Sequence, residues 1–496
     1  MNWSFWIPIM VIASSAVTGV IIFFLSEKRS LTRSILNMTG ATVKLLLVIY
    51  MCWAAYQGEE FETRFAIVLG FDFLLRADML SLLLVTLSSL LWWFTTLYAI
   101  GYLEGSPNRS RFFGFFSLSV TASVGVALAG NLITFFIFYE FLTLSTYPLV
   151  VHRGTEEALR AGRTYLLYTL AGGAAILVGA VWIHVLVGAF DFTAGGVVMD
   201  LVESHGTQLT AIFIILIMGL GVKAALVPLH AWLPIAMIAP APVSALLHAV
   251  AVVKAGAFGI CRVVYHVFGL ESASELGVLT PLAVMASITI VYGSIRALAQ
   301  DDLKRRLAFS TVSQVSYIAL GVSLLGITAS TGGLVHLVHQ GLMKITLFFC
   351  AGLLAETIEV KTVSRMNGVA KRMPLTMLAF TVAAFGMIGM PPIAGFVSKW
   401  HIGVGGLEAG HTWVIVVMIA SSMLNAAYFL PIIYVAWFKR PVETWPRNPR
   451  HKGEGPRLLL FPTIATAILS VLAGLLAGLD FSPLALARTI ADIYVP

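Results

Sequence analysis

The chain has 496 residues, 59% of them apolar and only 11% charged, with a net charge of +7 and a mean hydropathy of +0.92. Soluble domains carry about 25% charged and about 45–50% apolar residues, so a soluble enzyme, a disulfide-stapled secreted domain and a disordered chain are all excluded. Cys52, Cys261 and Cys350 lie far apart and suggest neither a disulfide framework nor a metal cluster.

A helix needs about 20 largely apolar residues to cross the hydrocarbon core. Taken in order, the runs predict fourteen spans, at 4–26, 34–56, 79–102, 112–129, 131–151, 164–187, 209–229, 241–268, 278–299, 307–327, 331–355, 374–400, 412–438 and 458–478. The first is longer than a signal-peptide core and lacks a basic stretch before it, so it is expected to be retained. Gly101–Arg111 and Lys439–Arg457 read as polar connections with turn chemistry. The connections after odd-numbered spans hold 22 of the 31 Lys and Arg residues, whereas the opposite face holds only Arg64, Arg76, Arg262 and Arg488. Basic connections stay cytoplasmic. The bias therefore predicts both termini outside and accounts for the positive charge without nucleic acid.

Five lysines fall inside spans: Lys44, Lys223, Lys254, Lys344 and Lys399. Each charge at such depth costs at least about 2.5–3.5 kcal/mol. The fifth span carries Glu140, the one carboxylate at mid-depth. Lost hydration favours the neutral form of both carboxyl and amine, so Glu140 and a nearby lysine can trade a proton; the alternative is a structural ion pair. Lys223 stands in MGLGVKAALVPLHAWLP, where Pro228 lacks an N–H and clashes with the carbonyl of Ala224. A break is predicted just past Lys223, and free carbonyls at membrane depth belong next to protein or water. The eighth span carries His248 and Lys254. The eleventh carries His336, His339 and Lys344, the two histidines three apart on one helix face. Histidine titrates near neutrality and can relay protons; a hydrogen-bonded interior role is the alternative, and zinc lacks its usual ligand spacing. The twelfth span repeats the seventh, with a break predicted at Pro391–Pro392 and Lys399 after it.

Spans four to eight and nine to thirteen thus form two five-helix sets, each with a broken lysine helix in fourth place. An odd number of spans per set inverts the second, and inverted repeats with matching broken helices mark transporters. The expected fold is an all-α polytopic membrane protein of about fourteen helices with two inverted five-helix repeats and two broken helices. The divisions are a three-span segment at 1–111, a first repeat at 112–268, a second at 278–438, and a cytoplasmic connection, last span and short C-terminus at 439–496.

The runs HAWLPIAMIAPAPVSALLHAVAVVKAG, RALAQDDLKRRLAFSTVSQVSYI and HLVHQGLMKITLF resemble the proton-translocating antiporter-like family, over residues 70–440. That family includes complex I membrane-arm subunits, related membrane-bound hydrogenases and Mrp Na+/H+ antiporters. The resemblance implies that Glu140 and Lys223 are the ion pair of a first half-channel and that His248 and Lys254 join a central hydrophilic axis. It further implies that His336, His339 and Lys344 continue that axis and that Lys399 ends the second half-channel, while Asp302 and Lys304 belong to a structural loop motif. Lysine at 399 and the histidine five residues before Lys344 resemble the D-type member of Mrp antiporters, whereas VSALLHAVAVVKAG is closer to L- and A-type members and Ile235 stands where a polar or acidic residue is common. Few residues follow the last span, so the long lateral helix of the L-type member is expected to be absent.

The resulting expectation is a non-enzymatic, proton-translocating subunit of an Mrp-type Na+/H+ antiporter in a prokaryotic plasma (inner) membrane. Its partners would be the bilayer, other membrane subunits of an Mrp-like or complex I-like assembly, protons and Na+. No cofactor, metal or nucleic acid is expected, since no Cys cluster or nucleotide-binding glycine pattern occurs. The alternatives are a proton-pumping subunit of a redox-driven complex (hydrogenase-4-like or complex I-like) and an energy-coupling subunit for inorganic-carbon uptake.

Overall fold

Local side-chain chemistry starts five of the helices. Asp78, Asn131, Thr155, Asp302 and Ser482 each accept a hydrogen bond from the amide three residues on, satisfying donors that a first helical turn leaves unpaired. The computed structural model describes residues 3–68, 71–441 and 454–495. Part of the predicted connection Lys439–Arg457, residues 442–453, lies outside them.

Among the described residues twelve helices are long and apolar enough to cross a membrane: Trp3–Phe23, Ser30–Tyr56, Met79–Tyr102, Arg109–Leu128, Leu132–Val150, Glu156–Val187, Met199–Lys223, Ala241–Phe268, Leu279–Leu298, Ile327–Ile358, Trp413–Phe438 and Arg457–Leu475. The expected fourteen are not reached on that measure, for two physical reasons. The tenth predicted span corresponds to Leu303–Val322, whose first turn holds Lys304, Arg305 and Arg306 and whose body carries Ser310, Thr311, Ser313, Gln314 and Ser316. The twelfth is two short helices, Pro374–Ile388 and Ala394–Glu408.

Both predicted breaks are present. The seventh helix ends at Lys223 and leads into a turn in which Ala225 has φ +57°, a left-handed conformation uncommon for any residue but glycine. At the second break Gly389 takes up φ +98°, where a side chain would be strained, and Pro391 and Pro392 follow. A helix would bond the carbonyls of Met387 and Ile388 to the amides of residues 391 and 392, and prolines have none. The eighth helix is also irregular, which was not expected. It runs as Ala241–Ala245, a π-helical turn Leu246–Val250, a non-helical Ala251, Val252–Arg262 and a second π turn Val263–Phe268. Such π turns inside helices frequently sit at functional sites.

Ile327–Ile358 lies at the centre, packed against Leu303–Val322, Ala394–Glu408, Pro374–Ile388, Arg457–Leu475 and Met79–Tyr102. Two elements were not foreseen. An antiparallel hairpin, Glu62–Val68 with Phe71–Arg76, joins the second and third long helices, and its Arg64 and Arg76 pair with Glu62, Asp72 and Asp191. The chain then ends in a helix, Pro483–Tyr494, folded back on Ile327–Ile358 and Met79–Tyr102. Tyr494 stacks on Tyr265 with centroids 5.6 Å apart, beside the buried Arg262, which pairs with Asp78.

Candidate functional site

Lys223 reaches Tyr139, the residue before Glu140 in the chain, and not Glu140 itself. The Lys223 ammonium donates to the backbone carbonyl of Tyr139 and sits over the Tyr139 ring, 3.4 Å from its centroid, in cation–π contact. One Glu140 carboxylate oxygen, Oε1, is buried with no hydrogen-bond partner, and no hydrogen bond or ion pair joins Glu140 to Lys223 among the described residues. The absence of a side chain at Gly173 makes room for that carboxylate, because a Cβ there would collide with Oε1. The Lys223 ammonium spends its contacts on Tyr139, the residue next to Glu140 in the chain.

The irregular eighth helix supplies the middle of the site. His248 lies in its first π turn, with Nε2 3.3 Å from the Met237 sulfur and its ring 4.5 Å from that of Phe348. At the adjoining irregularity the Val250 carbonyl accepts the hydroxyls of Ser123 (3.2 Å) and Ser88 (3.4 Å). Lys254, one turn further, donates to the carbonyl of Leu337 at 2.7 Å and so ties this helix to the turn that carries His336 and His339. His336 Nδ1 is 2.7 Å from Ser398 Oγ. Its Nε2, both ring nitrogens of His339 and the whole amide of Gln340 are buried with no hydrogen-bond partner among the described residues. Native interiors leave few polar groups unpaired, so their concentration along one helix marks it out.

Lys344 and Lys399 are joined by an unbroken set of contacts. Lys344 donates to Ser310 Oγ at 2.6 Å and to the Leu307 carbonyl at 3.2 Å. Ser310 Oγ is 2.8 Å from the Tyr428 hydroxyl, which donates to Asn425 Oδ1 at 2.5 Å. The Asn425 amide then donates to the Met387 carbonyl at 3.1 Å. Lys399 donates to that carbonyl at 2.8 Å, to Ile388 at 3.0 Å and to Ser422 Oγ at 3.4 Å. The double proline thus frees the same two carbonyls that hold the Lys399 ammonium, and the lysine reaches back onto the break instead of out to an interface. Lys344, Ser310 and Tyr428 can pass a proton among themselves, whereas the Asn425 amide and the Met387 carbonyl, which accepts from both Asn425 and Lys399, have no proton to relay and position the two ends.

Sequence reasoning missed Ser310, Tyr428 and Asn425. The signal was there: Ser310, Gln314 and Tyr317 recur at i, i+4, i+7, as do Ser421, Asn425 and Tyr428, each set sharing one helix face. The two faces meet, with Tyr317 donating to Ser421 at 2.6 Å as well. Lys44 is not joined to any of these residues. It bonds Ser15 Oγ at 2.6 Å among the first four helices. Asp302 caps Leu303–Val322, as a structural motif would. No three His, Cys, Asp or Glu side chains among the described residues converge on a metal-sized point.

Residues 129–425 match the pattern described as NADH:quinone oxidoreductase/Mrp antiporter, TM, and residues 67–113 that of the complex I chain 5 N-terminus. Over 394 residues the chain is 38% identical to the N-type NADH-quinone oxidoreductase subunit of Desulforudis audaxviator, covering 76% of this chain and 77% of that one. It is 28% identical to the D-type Na(+)/H(+) antiporter subunit of Bacillus subtilis, covering 82% and 80%. A chain of the solved Mrp complex from Dietzia sp. DQ12-45-1b has the same fold, with a TM-score of 0.87 at 23% identity and coverage of 100% and 98%.

Proposed function

Since the chain belongs to the NADH:quinone oxidoreductase/Mrp antiporter family, we propose that it is the proton-translocating subunit of a multi-subunit Mrp-type antiporter exchanging H+ for Na+ or another monovalent cation. Residues 112–268 and 278–438 act as two inverted half-channels, and both termini face outward. Glu140 and Lys223 exchange a proton in the first half. His248, Lys254, His336 and His339 carry it across the centre, and Lys344 passes it to Lys399 in the second. The observation that carries this reading is the hydrogen-bonded run from Lys344 through Ser310, Tyr428 and Asn425 to the break that holds Lys399. It spans separate helices and ends at a buried lysine with no carboxylate partner among the described residues, an arrangement that serves proton transfer better than it serves stability.

The test is made on the assembled complex in vesicles, with an imposed Na+ gradient and a luminal pH probe. Wild type acidifies or alkalinises the lumen with the sign of the gradient, and Lys399→Gln abolishes the response. A second reading, a proton-pumping subunit of a redox-driven complex, is favoured by the 38% identity to a quinone oxidoreductase subunit. Proton movement that requires quinone reduction and ignores the Na+ gradient would select it.

A further inference from the structure

On the side of the basic connections, between Ala241–Phe268, Leu303–Val322 and Ile327–Ile358, lies a cavity of about 690 Å³. Its walls are charged and mostly basic, with Arg153, Arg160, Lys304, Arg305 and Lys361 alongside Glu157, Asp302 and Glu356. Such a wall holds water and raises the local concentration of mobile ions.

Met237 stands where this cavity meets the interior. It belongs to the short turn Ala236–Ile238 that follows the first break, lines the cavity and is only 5% exposed. Its sulfur is also the atom 3.3 Å from His248 Nε2. Met237 therefore touches both the charged cavity and an imidazole of the central site. Thioether sulfur has no proton to give and accepts only weakly, so proton passage is interrupted there. The other ring nitrogen of His248, Nδ1, is buried with no hydrogen-bond partner among the described residues, and Nε2 is the nitrogen in contact with the cavity-lining Met237.

The surroundings decide what can move. Lys304 donates to the carbonyl of Ala239 at 2.5 Å, two residues beyond Met237, and so ties the backbone of this segment to the start of Leu303–Val322. The His248 ring rests on Phe348. Methionine, unbranched and with three rotatable bonds, is the adaptable piece between two fixed ones.

We propose that Met237 is the gate between the charged cavity and His248. With its side chain in place the passage is shut; when the side chain swings aside, water from the cavity reaches Nε2 and a proton can enter. This rests on His248 belonging to the proton path, as proposed above, and adds the point of entry and the group that controls it.

The complete complex, reconstituted in vesicles, supplies the test. An imposed pH difference without any exchangeable cation should collapse faster through Met237→Ala than through wild type, because the plug is shortened. Met237→Phe, which fills the passage, should stay tight and lose exchange. Ile238→Ala, on the same turn and lining the same cavity, should stay as tight as wild type. A Met237→Ala complex as tight as wild type overturns the gate, as does an equal leak in Ile238→Ala. Should Met237→Ala fail to assemble, Met237→Cys is treated with a small cationic methanethiosulfonate from the cavity side; block of exchange is expected, and no modification or no effect refutes the gate. The leak assay needs no Na+. A leak in Met237→Ala from a complex that shows no cation exchange would keep the gate and sink the antiporter reading instead.

Discussion

Replacing Lys399 separates a proton carrier from a structural clasp. Its ammonium serves two carbonyls, Met387 and Ile388, that the prolines leave without helical donors. The Met387 carbonyl keeps the Asn425 amide, so Lys399→Ala orphans one acceptor, that of Ile388. Leaving a buried acceptor unpaired costs about 1–3 kcal/mol, enough to weaken the second break but too little to unfold a bundle of this size. Lys399→Gln, one bond shorter and still a donor, can serve one carbonyl and should lie within about 1 kcal/mol of wild type. Both variants should nevertheless lose exchange, because neither an alkyl group nor an amide titrates. Lys399→Glu should retain some, since a neutral carboxyl can donate to the Met387 carbonyl and still give up its proton. Exchange in vesicles at matched amounts of assembled complex, with thermal dissociation measured alongside, reads both quantities. If Lys399→Gln transports as fast as lysine while Lys399→Ala fails only by disassembly, the residue is a clasp and the second half-channel must end elsewhere.

Four further outcomes are expected. Glu140→Ala and Lys223→Ala should each abolish exchange with assembly intact, whereas Glu140→Asp keeps some; full activity in assembled Glu140→Ala would leave the pair a structural one. Tyr428→Phe removes its contacts with Ser310 and Asn425, costing about 0.5–1.5 kcal/mol each in stability, and should slow turnover, so an unchanged turnover number would show that protons bypass this run. Asp78→Asn strands the buried Arg262 and should destabilise the complex by about 3–5 kcal/mol, with Asp78→Asn/Arg262→Met recovering most of the loss. Burial pushes the Asp78 carboxyl up, but Arg262, His266 and the Ser81 amide outweigh it and hold the group down to about 2. A carboxylate so depressed contributes stability above its unfolded pKa of about 3.9 and loses it as pH falls toward 2, so the gap between wild type and Asp78→Asn in thermal dissociation should be flat at neutral pH and narrow only below about pH 4. Finally, the interior charges are mostly basic and sodium prefers oxygen ligands, so the purified chain should show no cation-dependent proton flux until its partners are restored; robust exchange by the chain alone would contradict this.

Local rules alone account for much of this architecture. Runs of apolar residues, the bias in Lys and Arg, the prolines at 228 and 391–392 and the isolated charges at 140, 223, 254, 344 and 399 are each legible because hydrophobic transfer and the missing proline amide act at the residue concerned. The helix breaks accordingly fall where those residues stand. Contacts between distant segments were beyond such rules. Lys223 settles on the Tyr139 carbonyl and not on Glu140, and Lys344 is linked to Lys399 through Ser310, Tyr428, Asn425 and the Met387 carbonyl. The π turn that presents His248 to Met237 has no sequence mark of its own. In a bundle where nearly every helix is apolar, hydrophobicity cannot choose neighbours, and association is set by close packing and interhelical hydrogen bonds. Which polar faces meet, and therefore which lysine bonds to which hydroxyl, is decided only when those helices pack together.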